Sequence, residues 1–376
     1  MISYGLGQID ESPKKALIMA GGTGGHIYPG LALADELIAR RWQISWLGSE
    51  NGMERSLVDS KKYQISLISI GGIRGKGIAG WLLLPFRLFK AVKEAYKVFK
   101  KEMPDIAIGF GGFASGPGGI AALLTGTPLV LHEQNAVAGM TNRFLSAFAK
   151  KVFQAFPNAF KASKKLETIG NPVRANILNK REIKLSRSGN DNSMNIFIVG
   201  GSRGALVLNQ KLPVVLQRLI KEHSINVVHQ CGKDKLKETL NAYKKAGLEA
   251  AKTIDIKEFI EDMDERYLWA DVIICRAGAL TVSEIAAIGC CAVFVPFPYA
   301  VDDHQTHNAR WLSEKDAGYC FDEKEIESEG FYSTIEKLIS SREMIERIEM
   351  NARNAAYLDA TEIMAKYCKQ VVRGDA

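Results

Sequence analysis

One arrangement constrains this chain more than any other, and it occurs twice. Lys15–Ala20, an apolar run of strand length, leads into Gly21-Gly22-Thr23-Gly24-Gly25-His26 and then into Leu31–Leu37, which reads as a helix. Asn195–Val199 leads likewise into Gly200-Gly201-Ser202-Arg203-Gly204-Ala205 and a helix running to about Glu222. Glycines between a strand and a helix let the backbone come close to a ligand. The helix N-terminus beyond them offers unpaired N–H groups and a positive dipole end. The same glycines equally suit a tight turn packed on a sheet. His26 closes the first segment with an imidazole able to accept a proton near neutral pH.

Further strands alternate with helical patterns throughout. In the first half they are expected at 43–48, 64–70, 105–109, 128–131, 151–153 and 166–169. In the second they are expected at 225–230, 253–256, 271–275, 292–295 and 318–321. Such alternation predicts parallel βαβ units. The fold class is therefore α/β, with two Rossmann-like parallel-sheet domains facing a central cleft where ligands belong, outside the carboxyl ends of the strands. Residues 180–193 are polar without an apolar face and read as an exposed connector. The expected division is 1–175, a linker at 176–193, and 194–376, with the last helix a candidate to return to the first domain.

Length agrees, since 376 residues exceed one ordinary core. No apolar run approaches a membrane span, and Met1–Pro13 reads as a disordered lead-in rather than a secretion signal. The six cysteines lack C-x-x-C spacing and lie in or beside apolar stretches, as buried reduced thiols do. Charge is uneven: residues 1–175 carry 22 Lys/Arg against 12 Asp/Glu, the remainder 27 against 30. A basic first half suggests an anionic partner.

Other stretches carry chemistry. Gly109–Gly119 is a third glycine cluster, read as a loop before a helix at 120–124, and with the first segment it could grip a diphosphate. His132-Glu133-Gln134-Asn135 follows a buried strand, as ligand-reading groups or a polar turn. Arg276–Glu284 follows another strand; N–H groups of Ala279–Thr281 would face a phosphate and Glu284 could accept ribose hydroxyls, unless it merely belongs to a capped first turn. Asp262-Met263-Asp264 suits a helix cap better than a metal-diphosphate. There is no G-x-x-x-x-G-K-[ST] and no Cys/His metal set. Trp81–Lys101 combines Trp, Leu and Phe with six basic residues and one acidic, and Met140–Lys165 adds six basic and none acidic. That composition fits an interfacial segment on an anionic membrane surface, although a sheet-covering helix explains 90–101 equally well.

Taken in order, Gly21–Gly30, Gly109–Gly119, His132–Asn142, Gly170–Arg174, Gly200–Ala205, Arg276–Glu284 and Val295–Phe297 resemble the peptidoglycan N-acetylglucosaminyltransferase family, the MurG type, across the chain from Lys15. The resemblance implies a GT-B transferase moving GlcNAc from UDP-GlcNAc to the 4-hydroxyl of MurNAc-pentapeptide on undecaprenyl diphosphate (lipid I), with inversion, giving lipid II. It implies a donor site of Ser202, Ile260 (backbone to uracil), Ala279, Leu280, Thr281, Val282, Ser283 and Glu284 (ribose). Asn135 and Gln305 would read the GlcNAc, with Arg174 nearby, and Thr23, Gly24 and Gly25 would line the cleft. The chain departs from the family pattern at Pro298–His304, where it is longer and poorer in glutamine. His26 is the expected base. No tightly bound cofactor or metal is implied, and divalent-cation dependence stays open. The expected partners are UDP-GlcNAc, lipid I, an anionic membrane and other cell-wall assembly proteins, at the cytoplasmic face of the inner membrane. Competing readings are a GT-B transferase with another lipid acceptor, a dinucleotide enzyme or sugar-nucleotide epimerase, and a nucleic-acid binder. The tryptophan-containing basic stretch and the lack of any module signature argue against nucleic acid.

Overall fold

The computed structural model describes residues 13–71, 84–186, 193–201 and 204–375. Ser202, Arg203 and the Trp81–Leu83 part of the basic apolar stretch lie outside them. The first unit runs β1 (Lys15–Met19), α1 (Gly24–Ala39), β2 (Gln43–Ser49), α2 (Glu54–Leu57), β3 (Gln64–Ile68) and α3 (Leu84–Glu102). It continues with β4 (Ile106–Gly109), α4 (Gly112–Thr125), β5 (Leu129–Glu133), α5 (Met140–Ser146), β6 (Lys151–Gln154) and β7 (Leu166–Thr168). Two short helices, α6 (Ala175–Leu178) and α7 (Arg181–Ser186), lead to the second unit. That unit is β8 (Met194–Val199), α8 (Leu206–Glu222), β9 (Ile225–Gln230), α9 (Leu236–Lys245), β10 (Ile254–Lys257), α10 (Met263–Trp269), β11 (Val272–Cys275) and α11 (Ala279–Ile288). It ends with β12 (Cys291–Phe294), α12 (His304–Ser313), β13 (Tyr319–Cys320), α13 (Glu329–Ser340), α14 (Arg342–Ala355) and α15 (Ala360–Arg373).

Every strand pair is parallel. The sheet orders are β3-β2-β1-β4-β5-β6-β7 and β10-β9-β8-β11-β12-β13. Central strands such as β1, β4 and β11 are buried along nearly their whole length, as sheets covered on both faces require. In each sheet the order reverses beside the first strand, between β1 and β4 and between β8 and β11. Such switch points open a crevice at the strand ends. The glycine segments after β1 and β4, and those after β8 and β11, all sit at these crevices.

Three readings change. The Gly109–Gly119 cluster is mostly helix, because α4 starts at Gly112. A Cβ at Gly118 would come within 2.4 Å of Met19 Sδ and one at Gly119 within 2.6 Å of Leu145, so these glycines let the helix lie close on its neighbours. Likewise α1 starts at Gly24, which puts Gly24, Gly25 and His26 in its first turn. Finally, residues 181–186 are helical rather than an exposed connector: Lys184 is buried, donating to Ala270 O and pairing with Glu349 at 3.3 Å. The last helix packs on the first unit. Ala360, Met364, Ala365 and Cys368 of α15 join the core formed by Ile27, Leu33 and Leu37 of α1.

Candidate active site

The first wall of the cleft is built by α1 and α4. Gly22 and Gly111 adopt left-handed φ of 92° and 88°, and a Cβ on Gly112 would stand 2.1 Å from Gly21 O, so the two glycine segments touch backbone to backbone. Below them the buried Glu54 carboxylate accepts from Gly22 N (3.1 Å), Ser49 N (2.9 Å) and Ser49 Oγ (3.0 Å). Nothing in the sequence singles out Glu54, which lies on a four-residue helix far along the chain from the loop it supports.

His26 lies against Gly111, and its Nδ1 is 3.3 Å from Thr23 Oγ1. Desolvation by the surrounding walls lowers its pKa to about 4; the facing His304 adds to this and Glu54 opposes it. The imidazole is thus unprotonated at neutral pH. His304, on the second unit, donates through Nδ1 to Val301 O (2.7 Å) and follows two residues in left-handed conformation, Asp302 and Asp303.

The stretch His132–Asn135 is more interior than a surface turn. His132, Glu133 and Gln134 are buried, and only Asn135 is partly open. Glu133 accepts from Asn135 N (3.0 Å), Gly139 N (3.1 Å) and Asn142 Nδ2 (2.9 Å), which fixes the loop leading into α5. Burial raises its pKa and these bonds draw it back.

The second wall starts at α11. Its first intrahelical bond is Val282 N to Gly278 O, so the N–H groups of Ala279, Leu280 and Thr281 precede the ladder. At the other end Arg181 and Arg353 donate to Ala287 O and Ile288 O, placing cations on the negative pole of the dipole. Val282 is wholly buried and its N–H is used, so it serves as core. Glu284 is buried too. It accepts from Arg174 Nη2 (3.0 Å) and Tyr267 Oη (3.1 Å); burial raises its pKa while Arg174 and Tyr267 pull it down. The Arg174 guanidinium also lies 4.8 Å from the Tyr28 ring centroid of α1, so it joins the two walls.

Two asparagines bond between the units. Asn171 Nδ2 donates to Gln134 O (3.1 Å) and Ser283 Oγ (2.9 Å). Asn308 accepts from Ala136 N (2.8 Å) and donates to Ala277 O (3.1 Å) and Asn135 Oδ1 (3.4 Å). Gln305 turns its Oε1 to Phe297 N (3.0 Å). Ile260 is buried with its N–H on Gln230 Oε1 (2.9 Å). Asp262 occupies the N-cap position of α10, but its carboxylate pairs with Arg266 (2.9 Å) rather than with a backbone N–H. Ser202 lies outside the described residues. Among those residues, the His/carboxylate group with metal-ligand spacing, Glu222, His223 and Glu336, is at the far end of α8 from the cleft.

Comparison with known proteins agrees with this geometry. Residues 16–154 match the Glycosyltransferase family 28 N-terminal domain and residues 195–367 the Glycosyltransferase family 28 C-terminal domain. The UDP-N-acetylglucosamine--N-acetylmuramyl-(pentapeptide) pyrophosphoryl-undecaprenol N-acetylglucosamine transferase of Aeromonas hydrophila is 46% identical over 361 residues, covering 96% of this chain and 98% of that protein. Its counterpart from Psychromonas ingrahamii is 44% identical over 362 residues, 96% and 100% of the two chains. The crystal structure of Acinetobacter baumannii MurG superposes with a TM-score of 0.78 at 40% identity, covering 95% of this chain and 100% of that one.

Proposed function

The chain belongs to glycosyltransferase family 28, and from that premise we infer that it is the GlcNAc transferase acting on MurNAc-pentapeptide-diphospho-undecaprenol. It is a UDP-GlcNAc-dependent hexosyltransferase of GT-B fold, and its product is lipid II of peptidoglycan synthesis. The observation that carries this is 46% identity, over nearly the whole of both chains, to a transferase of that name, in a chain whose α1 and α11 pack against each other from the two units.

The division of labour is our proposal. Residues 1–175 take the lipid-linked acceptor, 194–376 the donor, and α15 returns to the first. UDP sits with uracil at Ile260, diphosphate at Ser202 and Ala279–Thr281, and ribose on Glu284. Asn135, Arg174 and Gln305 surround the sugar, while Thr23–Gly25 line the acceptor side. In the reaction the acceptor 4-hydroxyl attacks C1 of GlcNAc, the C1–O bond to UDP breaks, and configuration inverts. His26 takes the hydroxyl proton. Its unprotonated state at neutral pH supports this role, and so weak a base suits transfer late in bond formation. Electrons leaving with UDP are met by α11's N-terminus. Displacing Arg174 from Glu284, or sharing it, accompanies donor entry.

We also propose peripheral attachment at the cytoplasmic face of the inner membrane. No helix among the described residues is long and apolar enough to cross a bilayer. The start of α3 supports a docking role: Pro85–Lys90 are all exposed, with Phe86 at 75% and Phe89 at 72%. Packing of α3 on α4 and α4 on α5 brings Phe144 and Phe148 to the same side of the sheet.

The test is transfer of labelled GlcNAc from UDP-GlcNAc to a lipid I analogue. Wild type should form the β-linked disaccharide. His26→Ala should lose about a hundredfold or more in kcat while calorimetry finds UDP affinity unchanged. Near-normal turnover would remove His26 from the base role.

A further inference from the structure

The donor nucleotide, as assigned above, touches two segments that leave different strands: the glycine turn after β8 and Ile260 after β10. In the sheet β9 lies between these strands, and Gln230 is its last residue, paired with Val199 on one side and Lys257 on the other. Its side chain is buried, 3% exposed, and reaches both ways. Nε2 donates to Gly201 O at 3.3 Å, and Oε1 accepts from Ile260 N at 2.9 Å. Gly201 O also accepts from Gly204 N at 2.9 Å, so the amide grips the carbonyl that closes the glycine turn. Gly201 and Gly204 have φ of 82° and 68°, and a Cβ on Gly204 would be 2.0 Å from Cys231 O.

We propose that Gln230 is a positioning residue for the donor, coupling the segment at the diphosphate end of the nucleotide to the segment at its base end. One primary amide has a single acceptor oxygen and a donor group on the same rigid plane. A shift of either segment is therefore passed to the other, and a nucleotide engaging both ends meets a site already set to its length. The inference rests on placing the donor at Ile260 and the Gly200–Ala205 turn.

Gln230→Met keeps the length and removes both bonds. It should raise KM for UDP-GlcNAc and the calorimetric Kd for UDP about tenfold, with kcat within about twofold. The Kd of uridine, which engages one end, should rise by much less. A merely structural role would lower the melting temperature and scale uridine and UDP alike, and that result would overturn the proposal. Glu284→Ala is measured in parallel. If it weakens UDP while Gln230→Met leaves UDP and KM untouched, the coupling is wrong and the donor site stands. If neither variant alters UDP binding, the donor placement falls and the coupling with it.

Discussion

His26, His132 and His229 are all kept uncharged, each by a different setting. His26 stands in the cleft; His132 is enclosed with Nε2 on Gly170 O (2.9 Å) and Nδ1 meeting Gln134 Nε2 (3.1 Å). His229 is sealed between Tyr243 Oη (2.9 Å) and Asn209 Oδ1 (3.0 Å). Burial lowers their pKa values from 6.5 to about 4, about 4 and about 3. A depressed folded pKa means the unfolded chain binds more protons. Stability from these groups is complete above pH 6.5 and drains away as pH falls toward the folded values. Glu133 and Glu284, raised by burial, act in the opposite sense: their contribution is greatest below pH 4.5 and is lost as pH rises through their folded pKa. A difference between variants cancels them. Urea unfolding of His229→Gln between pH 4 and 6 should depend on pH less steeply than wild type, by about 1.4 kcal/mol per pH unit, one proton's worth. Equal slopes would mean that His229 is charged when folded. At this scale the sequence was a partial guide. His26 stood out because glycines surround it. Glu54, Tyr267 and Gln230 did not, since each acts by reaching a segment distant along the chain.

Among elements, the glycine segments divide into two kinds that composition alone does not separate. At Gly112, φ is 78° and the missing Cβ is replaced by a backbone carbonyl of the first segment. At Gly119 the helix is regular and the space is filled by a leucine side chain, which can move. Gly119→Ala should therefore cost about 1–3 kcal/mol of stability by overpacking and leave KM for UDP-GlcNAc as it was. Gly112→Ala should also depress kcat, because Gly21 and the first turn of α1 must shift with it. Thermal melts and steady-state kinetics on the pair would separate these effects; equal kcat in both would contradict the division. Strand positions were legible to within a residue or two because buried parallel strands are continuous apolar runs, as in 196–199 and 272–275. Helix starts were not, because glycine, the poorest helix former after proline, fills the first turns of α1 and α4.

On the scale of the whole molecule, the repeated strand–glycine–helix opening disclosed both sheets, and the distribution of charge marked the half that we propose docks on an anionic surface. The exposed start of α3 gives that surface a testable form. Phe86→Ser with Phe89→Ser should reduce co-sedimentation with phosphatidylglycerol vesicles several-fold, by removing apolar area that would otherwise enter the interface, while transfer to a water-soluble acceptor analogue is unchanged. Undiminished sedimentation would move the contact elsewhere. What the sequence could not supply is how the walls meet, since Arg174 to Glu284, Asn171 to Ser283 and Asn308 to Ala136 are pairings between residues more than a hundred positions apart.

The return of α15 to the first sheet has a mechanical corollary. The chain crosses between the two units twice, at Gly170–Arg174 and again between α14 and α15. The crossings lie side by side, since a Cβ on Gly170 (φ 85°) would be 2.3 Å from Tyr357 Cβ. Two adjacent tethers define a line. Sliding one unit past the other strains one tether against its neighbour. Swinging about the line between them strains neither tether, and it changes the gap between α1 and α11; what opposes it is the set of contacts away from the line, such as Ala136 N to Asn308 Oδ1.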